Sequence, residues 1–146
     1  MPDLYPGELA TAEQILRLAD EYRNAAEHLL TLGRRGDPLS RAPYRLSAIH
    51  AIELYLNALL LHAKHSPAQI RGMQHNLSRR IELAIAKGLR LRKRTEAHLL
   101  AMTSSREYLA TRYDAEMRMT TSQINRLTAT LKEVSGKTVK IVNPAH

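Results

Sequence analysis

The chain has 146 residues, a length that supports one domain with a hydrophobic core and is short for two. It contains no cysteine, which excludes disulfides, thiolate metal sites and a cysteine nucleophile, and its net charge of +8 favours acidic partners such as phosphate groups. The first residues lack a basic segment followed by an apolar one, so we expect no secretory signal and a cytoplasmic protein.

The first predicted helix begins at a capping box formed by Thr11 and Gln14. Apolar residues then recur three and four positions apart until Gly33, which can end the helix. The following segment, residues 34–43, is rich in Gly, Asp and Pro and should form an exposed loop.

Residues 43–62 form the next predicted helix, and it is apolar on most faces. Such a helix must be surrounded by the others, yet it is too polar to cross a membrane. Helical periodicity places His50, Glu53 and Asn57 in one narrow polar stripe. Because an isolated carboxylate is costly to bury, Glu53 needs a partner; a structural role is favoured, and a chemical role stays open.

A second capping box, Ser66 with Gln69, predicts a short helix that Gly72 ends. Three further helical segments follow, with a kink or restart expected at a capping box over residues 104–107. Their ranges are 77–88, 90–113 and 124–136, the last preceded by a cap over residues 120–123. These elements predict an all-α, antiparallel bundle of four to five helices over residues 1–136, followed by an extended C-terminal tail, residues 137–146.

Most of the excess positive charge lies between residues 71 and 94. We interpret this stretch as a surface that binds the phosphates of RNA or nucleotides, and a solvated face without a ligand is the alternative. The ligand-binding candidates in it are Arg79, Arg80, Arg90, Arg92, Lys93 and Arg94. Few aromatic side chains are present for nucleic-acid bases to stack on, because the chain has no Phe or Trp and six Tyr.

Two histidine patterns could carry chemistry. His62 and His65 have a spacing that suits a metal, but no third ligand is evident, so neither a metal nor a cofactor is expected. An arginine that holds phosphate and a histidine that moves a proton would suffice to cleave RNA without metal, and Arg92 precedes His98 at a suitable spacing.

Three segments, in this order, resemble the HEPN family (higher eukaryote and prokaryote nucleotide-binding domains). Residues 47–61, SAIHAIELYLNALLL, resemble its central helix, with the family's glutamate at Glu53. Residues 74–84, QHNLSRRIELA, are similar to its His-polar-Leu helix start, and residues 106–114, REYLATRYD, precede a final helix. The resemblance covers residues 14–134.

The resemblance implies an all-α bundle, a homodimer and often a nucleotidyltransferase partner in a toxin-antitoxin pair. Many members are metal-independent ribonucleases that use an arginine, a histidine four to six residues later and a tyrosine just beyond. If Arg106 takes the arginine position, the histidine position falls on Arg112, followed by Tyr113. An arginine stays protonated and cannot act as a base, so we expect a degenerate site.

Two other histidines could supply the missing imidazole. His98 has the family's spacing after Arg92 but lies about a helix too early, and His75, at a helix start, is favoured as a capping or surface residue.

Three hypotheses follow. The leading one is a HEPN-like dimeric module that binds RNA or nucleotide phosphates on residues 79–94 and around Arg106 and Arg112. The second is a metal-independent endoribonuclease with Arg92, His98 or Arg106 in its cleft. The third is an interaction protein neutralised by an acidic partner, such as a nucleotidyltransferase subunit.

Overall fold

The computed structural model describes residues 4–145, and within them the chain is all-helical, as predicted. The seven helices are α1 Ala12–Leu30, α2 Ala42–His62, α3 Pro67–Gly72, α4 Leu77–Ala86, α5 Lys93–Ser104, α6 Glu107–Tyr113 and α7 Ile124–Val142. A 3-10 turn, Pro38–Arg41, leads into α2. The predicted count of four to five helices is too low, because the short α3 and α6 are separate elements. No helix of this described part is long and apolar enough to span a membrane.

Helix α2 is the centre of the structure, as its composition predicts. It contacts α1 and α7 most extensively, and α3, α4 and α6 pack on its remaining faces. Ile52, Leu56 and Leu59 have no exposed surface. A helix that is apolar on nearly all sides removes the most surface from water when other helices cover every side.

Two of the predicted capping boxes are confirmed. The Thr11 hydroxyl accepts a hydrogen bond from the Gln14 amide at 3.1 Å, and the Gln14 side chain accepts one from the Thr11 amide at 2.8 Å. Ser66 and Gln69 make the same reciprocal pair at the start of α3. Both helix starts follow from side chains three positions apart, which is why the sequence alone predicts them.

The other two expected caps are wrong. Helix α5 ends at Ser104, as the expected restart requires, but α6 begins after Arg106, whose φ of 52° is left-handed. The Glu107 carboxylate does not cap this start, because it is buried and accepts a hydrogen bond from the Ser122 amide at 2.7 Å. Helix α7 likewise begins after Gln123 without a side-chain cap.

The predicted extended tail is also wrong over residues 137–142, because α7 continues through Gly136 to Val142. Gly136 is exposed, and a glycine inside a helix costs only about 1 kcal/mol relative to alanine. Burial of Thr138 and Val142 along the same face as Val134 outweighs that cost. His146 lies outside the described residues.

Candidate functional site

Glu53 of the polar stripe forms a hydrogen-bonded pair with His75, just before α4. Nδ1 of His75 lies 3.0 Å from Oε1 of Glu53, and the imidazole stacks on the Tyr108 ring with centroids 4.7 Å apart. The His75 side chain is 40% exposed and that of Glu53 13%. The capping interpretation of His75 is wrong, because Asn76 caps α4. This pair uses Nδ1 and leaves Nε2 of a partly exposed imidazole to accept or donate a proton.

Arg80 lies inside the protein beneath this pair. Its Nε donates to Oδ1 of Asn57 at 2.7 Å, and its terminal nitrogens donate to the carbonyl oxygens of Asn76 and Ile70. Burial lowers the pKa of Arg80, and the nearby Glu53 carboxylate opposes this effect. The prediction that Arg80 belongs to an exposed phosphate-binding face is therefore wrong. Its position falls on the buried side of α4.

These groups line a pocket of about 600 Å³, which we name the Glu53 pocket. Its polar lining includes Glu53, Asn57, His75 and Arg80, and its apolar wall includes Leu54 and Leu61. Arg71 of α3 also lines it; its guanidinium pairs with the Glu8 carboxylate and lies 4.8 Å from the centre of the Tyr5 ring. An apolar wall with a few convergent polar groups is typical of small-ligand sites.

His50, the third member of the stripe, faces another neighbour. Its ring meets Tyr22 of α1 edge-on with centroids 4.5 Å apart. Burial lowers the pKa of His50; Glu53 opposes the shift and Arg112 reinforces it. Arg112 and Tyr113 are exposed and line a separate cavity of about 330 Å³, so these two residues do not line the Glu53 pocket.

The structure does not bring together the three predicted catalytic residues. Arg92 immediately precedes α5 and Arg106 follows it, which separates them by about 20 Å of helical rise. His98 lies between them on the buried face of the helix, 8% exposed. No cleft therefore contains Arg92, His98 and Arg106.

His98 instead belongs to a buried polar chain, which we define as Glu107, Ser122, His98 and Thr130. The Ser122 hydroxyl donates to Glu107 at 2.6 Å, so it accepts from Nε2 of His98, also at 2.6 Å. Nδ1 of His98 then accepts from the Thr130 hydroxyl at 2.6 Å. Burial, reinforced by Arg126, lowers the pKa of His98 to about 4. The His98 imidazole is thus buried, uses both nitrogens in hydrogen bonds between helices and shares no cleft with Arg92 or Arg106, an arrangement that favours a structural role.

A second carboxylate, Glu133, fixes the start of α5 to α7. It accepts hydrogen bonds from the Thr95 hydroxyl at 2.6 Å, the Arg92 amide at 2.7 Å and Nζ of Lys137 at 2.9 Å. Burial alone would raise the pKa of Glu133, but these hydrogen bonds outweigh it and lower the pKa to about 2. For the contact of α7 with His98, the sequence carried one signal: Thr130 occupies an inward position of α7 between Leu127 and Val134.

Residues 87–94, which comprise the connection between α4 and α5 and the first two residues of α5, form what we name the basic turn. Its cations are exposed, and they are Lys87, Arg90, Arg92, Lys93 and Arg94. Arg79 is exposed on α4 and pairs with Glu82 at 2.9 Å. Of the predicted phosphate-binding stretch, the basic turn and Arg79 are thus on the surface and Arg80 is not.

Comparisons with known protein families, with curated proteins and with solved structures find no match for this chain. Within residues 4–145, no three His, Asp or Glu side chains lie close enough together to hold a metal ion, so His62 and His65 gain no third ligand there. Function is therefore inferred from the geometry of the Glu53 pocket and of the basic turn.

Proposed function

We propose that this chain is a HEPN-like helical protein, with its longer helices in an antiparallel bundle, that binds the phosphates of RNA or nucleotides through the basic turn. The observation that carries the proposal is the concentration of exposed cations at residues 87–94. The Arg92 amide is held by Glu133, and Nζ of Lys137 donates to the Arg90 carbonyl. A turn whose backbone is fixed loses less entropy when its side chains bind a polyanion.

The experiment replaces Arg92, Lys93 and Arg94 with Ala and measures binding of a fluorescent single-stranded RNA over a range of salt concentrations. Affinity should fall, and the dependence of log K on log salt should become shallower by about 0.7 for each phosphate that the variant no longer neutralises. The melting temperature should change little, because exposed charges contribute little to stability.

The matched control replaces three exposed cations on other helices, Arg17, Lys132 and Lys140, with Ala. It removes the same charge and should retain most of the affinity and the salt dependence. Equal loss in both triple variants would contradict a localised site. Undetectable RNA or nucleotide binding at low salt would contradict the proposal and favour the hypothesis of an acidic protein partner. Inspection of the neighbouring genes for a nucleotidyltransferase would test that hypothesis.

The proposal includes the homodimer that the resemblance implies. Leu39 of the 3-10 turn, Tyr113 at the end of α6 and Met117 after it line the same cavity. They are 47%, 74% and 40% exposed, respectively. Exposed apolar side chains grouped in this way support an interface. Light scattering at micromolar concentration should give the mass of a dimer, and Tyr113→Ser should weaken it; a monomeric mass for the parent protein would contradict the dimer.

A second candidate, favoured by the Glu53–His75 pair, is metal-independent RNA cleavage. Nε2 of His75 would remove the proton from a ribose 2′-hydroxyl, and the 2′-oxygen would attack the adjacent phosphorus. The bond from phosphorus to the 5′-oxygen then breaks, and that oxygen takes the proton from the imidazolium. The products are a 2′,3′-cyclic phosphate and a 5′-hydroxyl, and Arg71 is placed to offset the phosphate charge.

Incubation of the purified protein with mixed RNA, with and without a chelator, tests this candidate. Cleavage should survive the chelator and be lost in His75→Ala, whereas Arg106→Ala should cleave normally. Absence of cleavage by the parent protein contradicts the enzyme and leaves the binding proposal intact.

A further inference from the structure

The segment before α1 folds against the Glu53 pocket. Tyr5, Pro6, Gly7 and Glu8 all line the pocket, and we name them the N-terminal segment. The Glu8 amide donates to the Tyr5 carbonyl at 2.9 Å, which closes the segment into a turn. Gly7 takes a φ of 87°, a conformation that glycine adopts without a steric cost. The segment is therefore a defined structure at the pocket.

Arg71 connects this segment to α3. Its guanidinium binds the Glu8 carboxylate and the Tyr5 ring. The side chains of Arg71 and Glu8 are 40% and 27% exposed, and Tyr5 is 59% exposed. Ion pairs and cation–π contacts at such exposed positions are weak. These contacts hold the segment in place but leave it easy to displace.

The charges at the pocket indicate what would replace the segment. Arg71 and Arg80 are balanced by Glu8 and Glu53 when His75 is neutral. Moving Glu8 away leaves one guanidinium at the pocket without a counter-charge. An anion then restores the balance, because a guanidinium binds carboxylates and phosphates through paired hydrogen bonds.

The contacts of Arg71 also indicate the shape of the ligand. A guanidinium binds an anion in its plane and stacks a flat ring on its face, and the N-terminal segment supplies both groups. The pocket of about 600 Å³ is of the size that holds small organic ligands, and Leu54 and Leu61 offer it an apolar wall. A ring joined to an anionic group matches both the wall and Arg71.

We propose that the Glu53 pocket binds a small organic anion that carries a flat ring, of nucleoside monophosphate size, and that the N-terminal segment competes with this ligand for Arg71. The inference does not depend on RNA binding by the basic turn, because the pocket and the turn share no residue. Glu8 acts as an internal substitute for the anionic group and Tyr5 as one for the ring.

Calorimetric titration of the full chain with adenosine monophosphate tests the proposal, with adenosine and inorganic phosphate as the two halves of the probe. The whole nucleotide should bind more tightly than either half. Glu8→Gln and Tyr5→Ala, which each weaken the segment's contact with Arg71, should raise nucleotide affinity about three- to tenfold, since the open pocket becomes more populated. Arg71→Gln should weaken binding.

The matched control is Glu21→Gln, which removes one exposed carboxylate from α1 outside the pocket and should leave affinity unchanged. Hydrogen exchange supplies an independent measurement, because the Glu8 amide should exchange faster when the nucleotide is saturating. Equal affinities in the parent, Glu8→Gln and Glu21→Gln proteins, or unchanged exchange at Glu8, would overturn the competition. Failure of Glu8→Gln to bind millimolar nucleotide would overturn the ligand site.

The basic turn gives the last control. The pocket contains none of the residues of the turn, so the gain in nucleotide affinity caused by Glu8→Gln should persist when Arg92, Lys93 and Arg94 are replaced with Ala. Disappearance of that gain in the combined variant would place the nucleotide on the basic turn and overturn the pocket assignment, while supporting the function proposed for the turn.

Discussion

Two histidines of this chain are held by hydrogen bonds, and their surroundings decide what each imidazole can do. His98 is 8% exposed, and its two nitrogens bind the Ser122 and Thr130 hydroxyls. The His75 side chain is 40% exposed and binds Glu53 through one nitrogen. The first ring is buried between helices with both nitrogens hydrogen-bonded. The second ring is oriented by a carboxylate and is partly exposed to solvent.

The two carboxylates differ in the same way. Glu107 is 2% exposed, holds both the amide and the hydroxyl of Ser122, and lies 3.7 Å from the guanidinium of Arg45. It joins α2, α6 and the start of α7. Glu53 lies at the edge of a pocket and serves one imidazole. A buried polar group of this kind stabilises the fold through its fixed partners, whereas the Glu53 pocket keeps groups available for a ligand.

The largest loss of stability is expected in α2, the helix that packs beneath both the buried polar chain and the Glu53 pocket. Leu56 of α2 has no exposed surface, and Leu56→Ala should lower the free energy of unfolding by about 2–5 kcal/mol, because it leaves a cavity in the core. Urea denaturation measures this loss. Leu100→Ala, at a position 45% exposed on α5, is the control and should change stability by less than about 0.5 kcal/mol. A similarly small loss for Leu56→Ala would show that the core is misplaced.

The next effect is the pH dependence of stability that His98 should confer. The pKa of His98 is about 4 when folded and 6.5 by reference when unfolded, so between these values the unfolded state binds more protons. The free energy of unfolding should therefore fall as pH decreases from 6.5 to 4, by on the order of 3 kcal/mol. Glu133, with a folded pKa of about 2 against 4.5, should extend the loss below pH 4.5.

Urea denaturation at several pH values measures this slope, and one substitution assigns it. His98→Gln should flatten the slope between pH 6.5 and 4, because it removes the buried titrating ring. A slope that is unchanged by His98→Gln would contradict the buried polar chain as the source of the acid sensitivity.

A smaller effect contrasts two adjacent arginines. Arg80→Ala should lower the free energy of unfolding by about 1.5–3 kcal/mol, because Asn57 and two backbone carbonyls lose a buried charged donor. Arg79→Ala removes an exposed pair with Glu82 and should cost less than about 0.5 kcal/mol. Thermal denaturation of both variants measures the difference, and equal costs would contradict the inward position of Arg80.

The smallest effect on stability is expected at the rim of the Glu53 pocket. His75→Ala should lower the free energy of unfolding by less than about 1 kcal/mol, because the ring is partly exposed and Glu53 remains accessible to water. Urea denaturation of His75→Ala and His98→Ala measures this difference, and His98→Ala should lower the free energy of unfolding clearly more. A larger loss for His75→Ala would give that pair a structural role and weaken the case for a ligand-binding one.

The sequence by itself determined the features that depend on neighbours a few positions apart. The apolar run of α2 predicts a surrounded helix, and the pairs Thr11 with Gln14 and Ser66 with Gln69 predict helix starts. The polar stripe of α2 showed that Glu53 needs a partner. Each of these features depends on helical geometry over one or two turns, so the sequence of a single segment is enough to predict it.

The tertiary structure decided which polar residues are inside and what they contact. His75 meets Glu53 across 22 positions of sequence, and His98 meets Thr130 across 32. Gly136 looked like a helix end, but the burial of Val142 against the rest of the protein carries α7 past it. Local periodicity cannot distinguish a buried arginine or histidine from an exposed one, because burial depends on contacts with helices that are distant in the chain.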